Sequence, residues 1–332
     1  MDTNVTVIVL GLAAIIDYLI ADPWGWLHPV QVMGWVISRY CNFLLSICQG
    51  KGQRRWAGVG LGLGLILSSG IFGWAVSLIK IYLHPFFGIA IEAILLGSCF
   101  AGRGLRLAAE DVLTPLTRGN IELARTKLSQ YVGRDTENLS ETEILRSVLE
   151  TVSENATDGV MAPLFYAIAG AFFPGVGSVS LALAYKAAST LDSMVGYQKE
   201  PFTDIGWFSA KCEDILTWFP CRLTVLTLAI LSGKPRSVLA LCRRDAPQDP
   251  SPNSGWSECV YAAILGVQVG GINTYQGIIK PKPLLGNPLH SITPQTIDDA
   301  LNLTRRCCLL WLGLGIVGLM GVSSSGLLRL VS

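Results

Sequence analysis

From Ala57 to Ile79 the chain runs for 23 residues without a charged side chain. A helix rises about 1.5 Å per residue, so a run of this length spans the roughly 30 Å hydrocarbon core of a bilayer. Glycines at 58, 60, 62, 64, 70 and 73 stud it and suit close approach of a second helix. The rest of the chain agrees. Hydrophobic residues make up 51% and charged residues 15% of 332 positions, with a mean hydropathy of +0.47; soluble domains carry about 25% charged residues. A net charge of +1 gives no global field for nucleic acid.

Further apolar segments cover 5–20, 85–102, 160–185, 218–231 and 307–322. The first holds Asp17 and has no Lys or Arg ahead of it, so it reads as a retained helix rather than a cleaved leader. The fourth contains Pro163 and Pro174-Gly175, which predicts a broken or re-entrant helical hairpin. Two polar regions, 103–158 and 233–303, lie between the segments. The first has helical spacing at Leu105, Ala108, Ala109 and Val112, and again at Ile121, Ala124 and Leu128. No strand-rich block or repeat is visible. The expected architecture is all-α: a polytopic integral membrane protein of about four to six membrane segments, a single membrane-embedded domain over 1–332, with cytoplasmic helical regions. Arg39, Lys51, Arg54 and Arg55 before the second segment outnumber Lys80 after it, and Arg103 and Arg106 follow the third. By the positive-inside rule 22–56 and 103–158 are cytoplasmic. The nine cysteines form no C-x-x-C pair and read as small hydrophobes.

Polar constellations stand at the segment ends. Glu150, Glu154 and Asp158 are four apart and would share one helix face. Like charges so placed repel and favour a cation; hard oxygens suit Mg²⁺. A solvated acidic face with Arg146 pairing Glu150 is the ordinary alternative, and Asp158 could instead cap the next helix. Lys186 and Asp192 stand at the end of the fourth segment: Lys186 as a point charge for phosphate, Asp192 as metal ligand or base, or both as plain interfacial residues. The stretch "CRRDAPQDPSPNSGWSE" (242–258) gathers Arg244, Asp245, Asn253 and Glu258 among prolines, either a stiff binding loop or an ordinary surface loop. Near the start, "DYLIADPWGWLHPVQVMGW" carries Asp17, Asp22 and His28 with Trp24, Trp26 and Trp35 in a possible aromatic belt. No phosphate loop, dinucleotide fingerprint or H-E-x-x-H motif occurs.

Four long stretches in fixed order carry a resemblance: "DYLIADPWGWLHPVQVMG", "VGRDTENLSETEILRSVLETVSENATDGVMAPLFYAIAG", "AYKAASTLDSMVGYQKEPFTDIGWFSAKCEDILTWFPCRLT" and "RRDAPQDPSPNSGWSE" with "LGVQVGG" beyond it. Over 17 to about 275 the chain resembles the cobalamin-biosynthesis family called CobD or CbiB, adenosylcobinamide-phosphate synthase. Ser189 departs from the Asn expected in that family's run, which weakens any role for an amide there. The resemblance implies a multi-pass protein of the bacterial inner membrane with its active site on the cytoplasmic side. It implies ATP- and Mg²⁺-dependent ligation of adenosylcobyric acid to (R)-1-amino-2-propanol phosphate, or threonine phosphate in related routes. Lipid and other membrane enzymes of the corrinoid pathway are the further partners expected.

That chemistry assigns provisional roles. Glu150, Glu154 and Asp158 are expected to hold Mg²⁺. Lys186, Arg134 and Arg244 are expected on phosphates, with Asn253 in the same binding loop. Asp192 or Asp245 would be the base. Lys186 also counts among the catalytic candidates. A transporter, or a non-catalytic membrane regulator of the AmpE type, is the competing class; intramembrane Asp17 and Glu92 speak for it, the absence of an inverted repeat against it.

Overall fold

A computed structural model describes residues 3–20, 28–79, 84–173, 175–197 and 199–331, with side chains to 322. Asp22, Trp24, Trp26, Lys80 and Pro174, which figure in the expectations above, lie outside the described residues. The helices are α1 (Thr3–Ile20), α2 (Pro29–Ile47), α3 (Lys51–Ile79), α4 (Pro85–Gly97), α5 (Gly102–Thr117), α6 (Ile121–Leu128) and α7 (Glu141–Asn155). After a π-helical stretch, Ala156–Met161, come α8 (Ala162–Phe172), α9 (Ser178–Val195), α10 (Phe202–Ile205) and α11 (Trp207–Leu231). Then follow α12 (Pro235–Asp245), a 3₁₀ turn (Ala246–Gln248), α13 (Ser254–Leu265), strands β1 (Gln268–Tyr275) and β2 (Ile278–Gly286), and α14 (Pro294–Val331).

Among the described residues four helices are long and apolar enough to cross a membrane: Thr3–Ile20, Lys51–Leu78, Trp207–Leu231 and Pro294–Val322. A fifth span arises if Pro85–Gly97 and Gly102–Thr117 count as one broken helix. Ile15, Leu67, Ile71, Ile230 and Leu314 on these helices are exposed. Large apolar side chains facing outward in such number are what lipid, not water, tolerates. The span expected at 218–231 begins eleven residues earlier, at Trp207. Lys211, Glu213 and Asp214 at its start hid it from a hydropathy reading.

The chain divides into two compact units, 1–101 with 162–216 and 310–332, and 102–161 with 217–309. In the first, α3 packs along α9. A Cβ on Gly73 would lie 2.9 Å from Ser180 Cα, and Ser180 Oγ donates to Gly70 O at 2.7 Å. Gly58 meets Ile205 O in the same way, at 2.0 Å from a notional Cβ. Gly60 and Gly64 face open space, so only part of the glycine pattern serves packing. Helices α8 and α9 form the expected hairpin, drawn together where Gly170 abuts Gly177 O and where Tyr166 stacks on Tyr185 at 5.0 Å. None of the nine cysteines forms a disulfide.

The second unit is built on α5, α6 and α7. The periodic residues read from the sequence, Leu105, Ala109, Val112, Ala124 and Leu128, are buried there against Val148 and Val152. Helix α7 starts in a capping box: Ser140 N donates to Glu143 Oε2 at 2.8 Å, and Glu143 N to Ser140 Oγ at 3.4 Å. The Ser140 amide and the Ser140 hydroxyl, which donates to Glu143 Oε2 at 2.7 Å, hold the Glu143 carboxyl below its ordinary range. The antiparallel hairpin β1–β2 was not expected from the sequence. Gln276 and Gly277 turn it with φ of +53° and +77°. The Asp135 carboxylate accepts from both their amides at 2.8 Å.

Candidate functional site

The polar centre of the second unit forms where α7 meets the hairpin and α13. Arg146, Glu150 and Glu154 follow one another at four-residue spacing on α7, so they lie about one turn, or 6 Å, apart. The register between β1 and β2 slips at Gly270, a bulge that aims its backbone into the site. Gly270 N donates to Glu150 Oε1 at 2.8 Å, while Gly270 O accepts from Arg146 Nη1. Only glycine serves here: φ is +90°, and a Cβ would lie 1.9 Å from Pro283 O.

Glu150, 2% exposed, is gripped from both sides. Arg134 Nη2 donates to Oε2, and Arg146 Nη1 stands 3.7 Å from Oε1. Both guanidiniums also reach Asn273 Oδ1, at 2.9 and 3.2 Å. Two guanidiniums on one carboxylate fix the hairpin to α7 and leave this end of the site rich in positive charge. Arg146 Nη2 donates further to Ile272 O at 3.1 Å.

One turn on, the balance reverses. Glu154 is half-buried and accepts from the Ser254 hydroxyl at 2.8 Å. Glu258, on α13, is 1% exposed; its Oε1 accepts from Lys282 Nζ of β2. Its Oε2 is buried without a hydrogen-bond partner, a situation that costs about 1–3 kcal/mol. Burial pushes the Glu258 carboxyl well up; Lys282 opposes this, and Glu154 and Glu150 add to it. For Lys282 burial acts to lower the ammonium's pKa, but Glu258, Glu154 and Glu150 outweigh it and hold the group charged.

Asp158 lies beyond the end of α7. The α-helix ends at Asn155 and a π-helical stretch follows, whose i→i+5 bonding adds a residue to the turn. Pro163 just beyond offers no N–H and crowds the preceding turn, a sufficient reason for the widening. At the junction Ser257 Oγ donates to Ser153 O at 2.6 Å. Of the expected ligand set of Glu150, Glu154 and Asp158, Glu150 is spent on arginines, and Asp158 stands in the π-helical stretch beyond α7. Among the described residues no group of three or more His, Cys, Asp or Glu is placed to hold a metal ion. Mg²⁺ usually takes one or two carboxylates and completes its shell with phosphate and water. Glu154 and Glu258, one of them carrying a buried oxygen without a partner, fit that smaller set.

The other predicted residues fall in two groups. Asp245 is buried, binds Arg244 through both oxygens at 2.6 and 2.9 Å, and accepts from Gly286 N at 2.9 Å. The Arg244 hydrogen bonds, with the Gly286 amide, hold its carboxyl below the ordinary range, against the effect of burial. Held so, it is a weak base and a brace between α12 and β2. Arg244 is more than half exposed and also reaches Asn287 Oδ1 at 2.9 Å. Asn253 Oδ1 accepts from Arg222 Nη1 at 3.1 Å, and the Arg222 guanidinium lies between the Trp218 and Trp256 rings, 5.1 and 4.8 Å from their centroids. Arg134 is engaged with Glu150 rather than open to a phosphate. Lys186 and Asp192 lie on α9 in the first unit, both half-buried; a Cβ on Gly196 would meet Asp192 Oδ1 at 1.9 Å. His28 Nδ1 accepts from Val30 N at 3.3 Å and caps α2.

Lys282 and the pairing of Glu258 escaped the sequence reading. The two are 24 residues apart and meet only through the unpredicted hairpin.

A family profile described as CobD/Cbib protein matches residues 10–304. "Cobalamin biosynthesis protein CobD" of Synechocystis sp. is 50% identical over 97% of this chain and 94% of its own length. The protein of the same name from Halalkalibacterium halodurans is 39% identical over 91% of this chain and 93% of its own. "Cobalamin biosynthesis protein CbiB" of Salmonella typhimurium is 36% identical over 96% and 99%. No solved structure matches the chain.

Proposed function

The chain belongs to the CobD/CbiB protein family, and from that membership we propose that it acts in cobalamin biosynthesis as a ligase in the membrane. The reaction is the ATP-dependent joining of adenosylcobyric acid to (R)-1-amino-2-propanol phosphate, giving adenosylcobinamide phosphate. The observation that best supports it is the split charge along α7: a guanidinium-rich end at Glu150 and a carboxylate-rich end at Glu154 and Glu258. Amide ligation with two phosphorylated partners calls for both.

A carboxylate is a poor electrophile at neutral pH. Transfer of the terminal phosphoryl group of ATP to it gives an acyl phosphate; the amine nitrogen then attacks the acyl carbon, the C–O bond breaks and phosphate leaves. Mg²⁺, when bound, would supply positive charge against that of the phosphates. In this reading Glu154 and Glu258 hold the ion. Arg244, more than half exposed, contacts phosphate oxygens; Arg134 acts at one remove, fixing Glu150 and the Gly270 bulge. The attacking amine must first lose the proton of its ammonium form. Asp245, held as a brace by Arg244 and the Gly286 amide, is poorly suited to accept it. The Lys and Arg distribution supports a cytoplasmic-side site in the inner membrane.

The test is direct. Purified protein with ATP, Mg²⁺ and both substrates should yield a corrinoid whose mass is the sum of the two less one water, with ADP and phosphate in step. Omitting ATP or Mg²⁺ should stop it. AMP and pyrophosphate would replace the acyl phosphate by an acyl adenylate. A folded, corrinoid-binding preparation that forms no amide with any nucleotide would sink the ligase reading.

A further inference from the structure

Three features of the carboxylate-rich end converge on one side chain. Glu154 and Glu258 face a single ammonium, that of Lys282. Glu258 is 1% exposed, and its Oε2 is buried without a hydrogen-bond partner. The Glu154 hydroxyl partner, Ser254, is neutral. A fold that only needed to bury Glu258 would satisfy both its oxygens, as it does for Asp245 with Arg244 and the Gly286 amide. Here it leaves one acceptor over and a second carboxylate close enough to be felt by the pair.

Lys282 also differs from the site's arginines. Arg134 and Arg146 each make several fixed contacts and are 8% and 14% exposed. Lys282 makes one ion pair, from a flexible stem, and is 23% exposed. It sits on β2 across from Gly271. A strongly hydrated point charge on such a stem can leave; a forked guanidinium held at three acceptors cannot do so cheaply.

We propose that Lys282 stands in for a divalent cation: its ammonium fills the seat formed by Glu258 and Glu154 and is displaced when Mg²⁺ binds there. The inference rests on the reading that this site binds Mg²⁺ and phosphate, and deepens it. Exchange conserves a favourable charge balance. Two carboxylates against one ammonium leave one negative charge over; against Mg²⁺ they balance. The freed ammonium then stands beside the ion, where the oxygens of a phosphate would lie. Metal entry and phosphate capture become one event, and without metal the buried acids are never left with no cation at all.

The wild-type protein in detergent, with Mn²⁺ as the probe and no nucleotide or corrinoid, tests this. Lys282 should react slowly with an amine-acetylating reagent while it is held by Glu258. Saturating Mn²⁺ should raise its rate at least fivefold, read by peptide mass spectrometry, while Lys234 and Lys211 stay unchanged as controls. An unchanged or slower rate at Lys282 would overturn the proposal. Lys282→Met should bind Mn²⁺ at least tenfold tighter than wild type by titration of free Mn²⁺, Lys282→Arg no tighter, and Glu258→Gln at least tenfold weaker. A folded Lys282→Met protein with wild-type Mn²⁺ affinity would make Lys282 a simple brace. If Lys282→Met does not fold, the labelling of the wild type decides alone. None of these readouts needs turnover, so a protein that fails as a ligase could still pass, and an active ligase could still fail.

Discussion

The two units of this chain are held together by different means. In the first, α3 meets α9 through glycine: Gly73 and Gly70 bring backbone against backbone at Ser180. Lipid tails are as apolar as leucine, so burying leucine between membrane helices gains little, and close van der Waals fit takes over. In the second unit the joints are ionic and backbone-directed. Arg134, Arg146 and the Gly270 amide converge on Glu150, and Asp135 holds the hairpin turn. Such joints are costly to half-build and therefore specify one arrangement sharply. The contrast teaches where to look for chemistry: among the described residues each unit buries three carboxylates, Glu92, Asp204 and Glu213 in the first and Glu150, Asp245 and Glu258 in the second, but only those of the second are all tied to a strand pairing that a bulge has bent.

Substitutions can break that contrast in order of size. Arg134→Met leaves Glu150, 2% exposed, with one distant guanidinium; removing one partner of a buried pair costs about 3 kcal/mol or more. Thermal and denaturant unfolding of the purified protein should show it as the most destabilised of the set. Gly73→Val drives a side chain into Ser180 and should cost about 1–3 kcal/mol by overpacking. Gly64→Val, which faces open space on the same helix, should stay within about 0.5 kcal/mol. Equal effects at 64 and 73 would remove glycine packing as the cohesive device of the first unit. Ser140→Ala should cost about 1 kcal/mol through the lost cap of α7.

A pH series sharpens the same comparison. The folded Asp245 carboxyl lies below its ordinary range, so its stabilising contribution is present above the unfolded pKa and is lost as pH falls through the folded value. Asp245→Asn should flatten stability over that acid range; an unaltered slope would remove Asp245 as the brace of α12.

The sequence made much of this visible. Hydropathy located each helix that can span among the described residues, and of the helically spaced residues Leu105, Ala109, Val112, Ala124 and Leu128 are buried while Ala108 and Ile121 are half-buried. What it concealed had physical causes. In "QVGGINTYQGIIKPKPLLG", paired glycines and Pro281 and Pro283 interrupt the alternation that announces strands. Without the hairpin, Lys282 had no visible partner and Arg134 no visible fixed role. Four-residue spacing correctly aligned Glu150 with Glu154 on α7, but it could not show the π-helical stretch that holds Asp158, which leaves no periodic signature. The start of α11 was lost because Glu213, buried near Tyr185 at 3.5 Å, looks from sequence like an exposed charge.

At the carboxylate-rich end of α7, Glu154 and Glu258 are the proposed meeting place of metal and phosphate. Turnover of Glu154→Gln against Mg²⁺ concentration tests this most directly. The change keeps shape and the Ser254 contact while removing one charge. The account predicts a fall in kcat/KM by orders of magnitude and a raised Mg²⁺ requirement, with unfolding temperature unchanged. Near-wild-type turnover at ordinary Mg²⁺ would contradict it and return Glu154 to the solvated face of a helix.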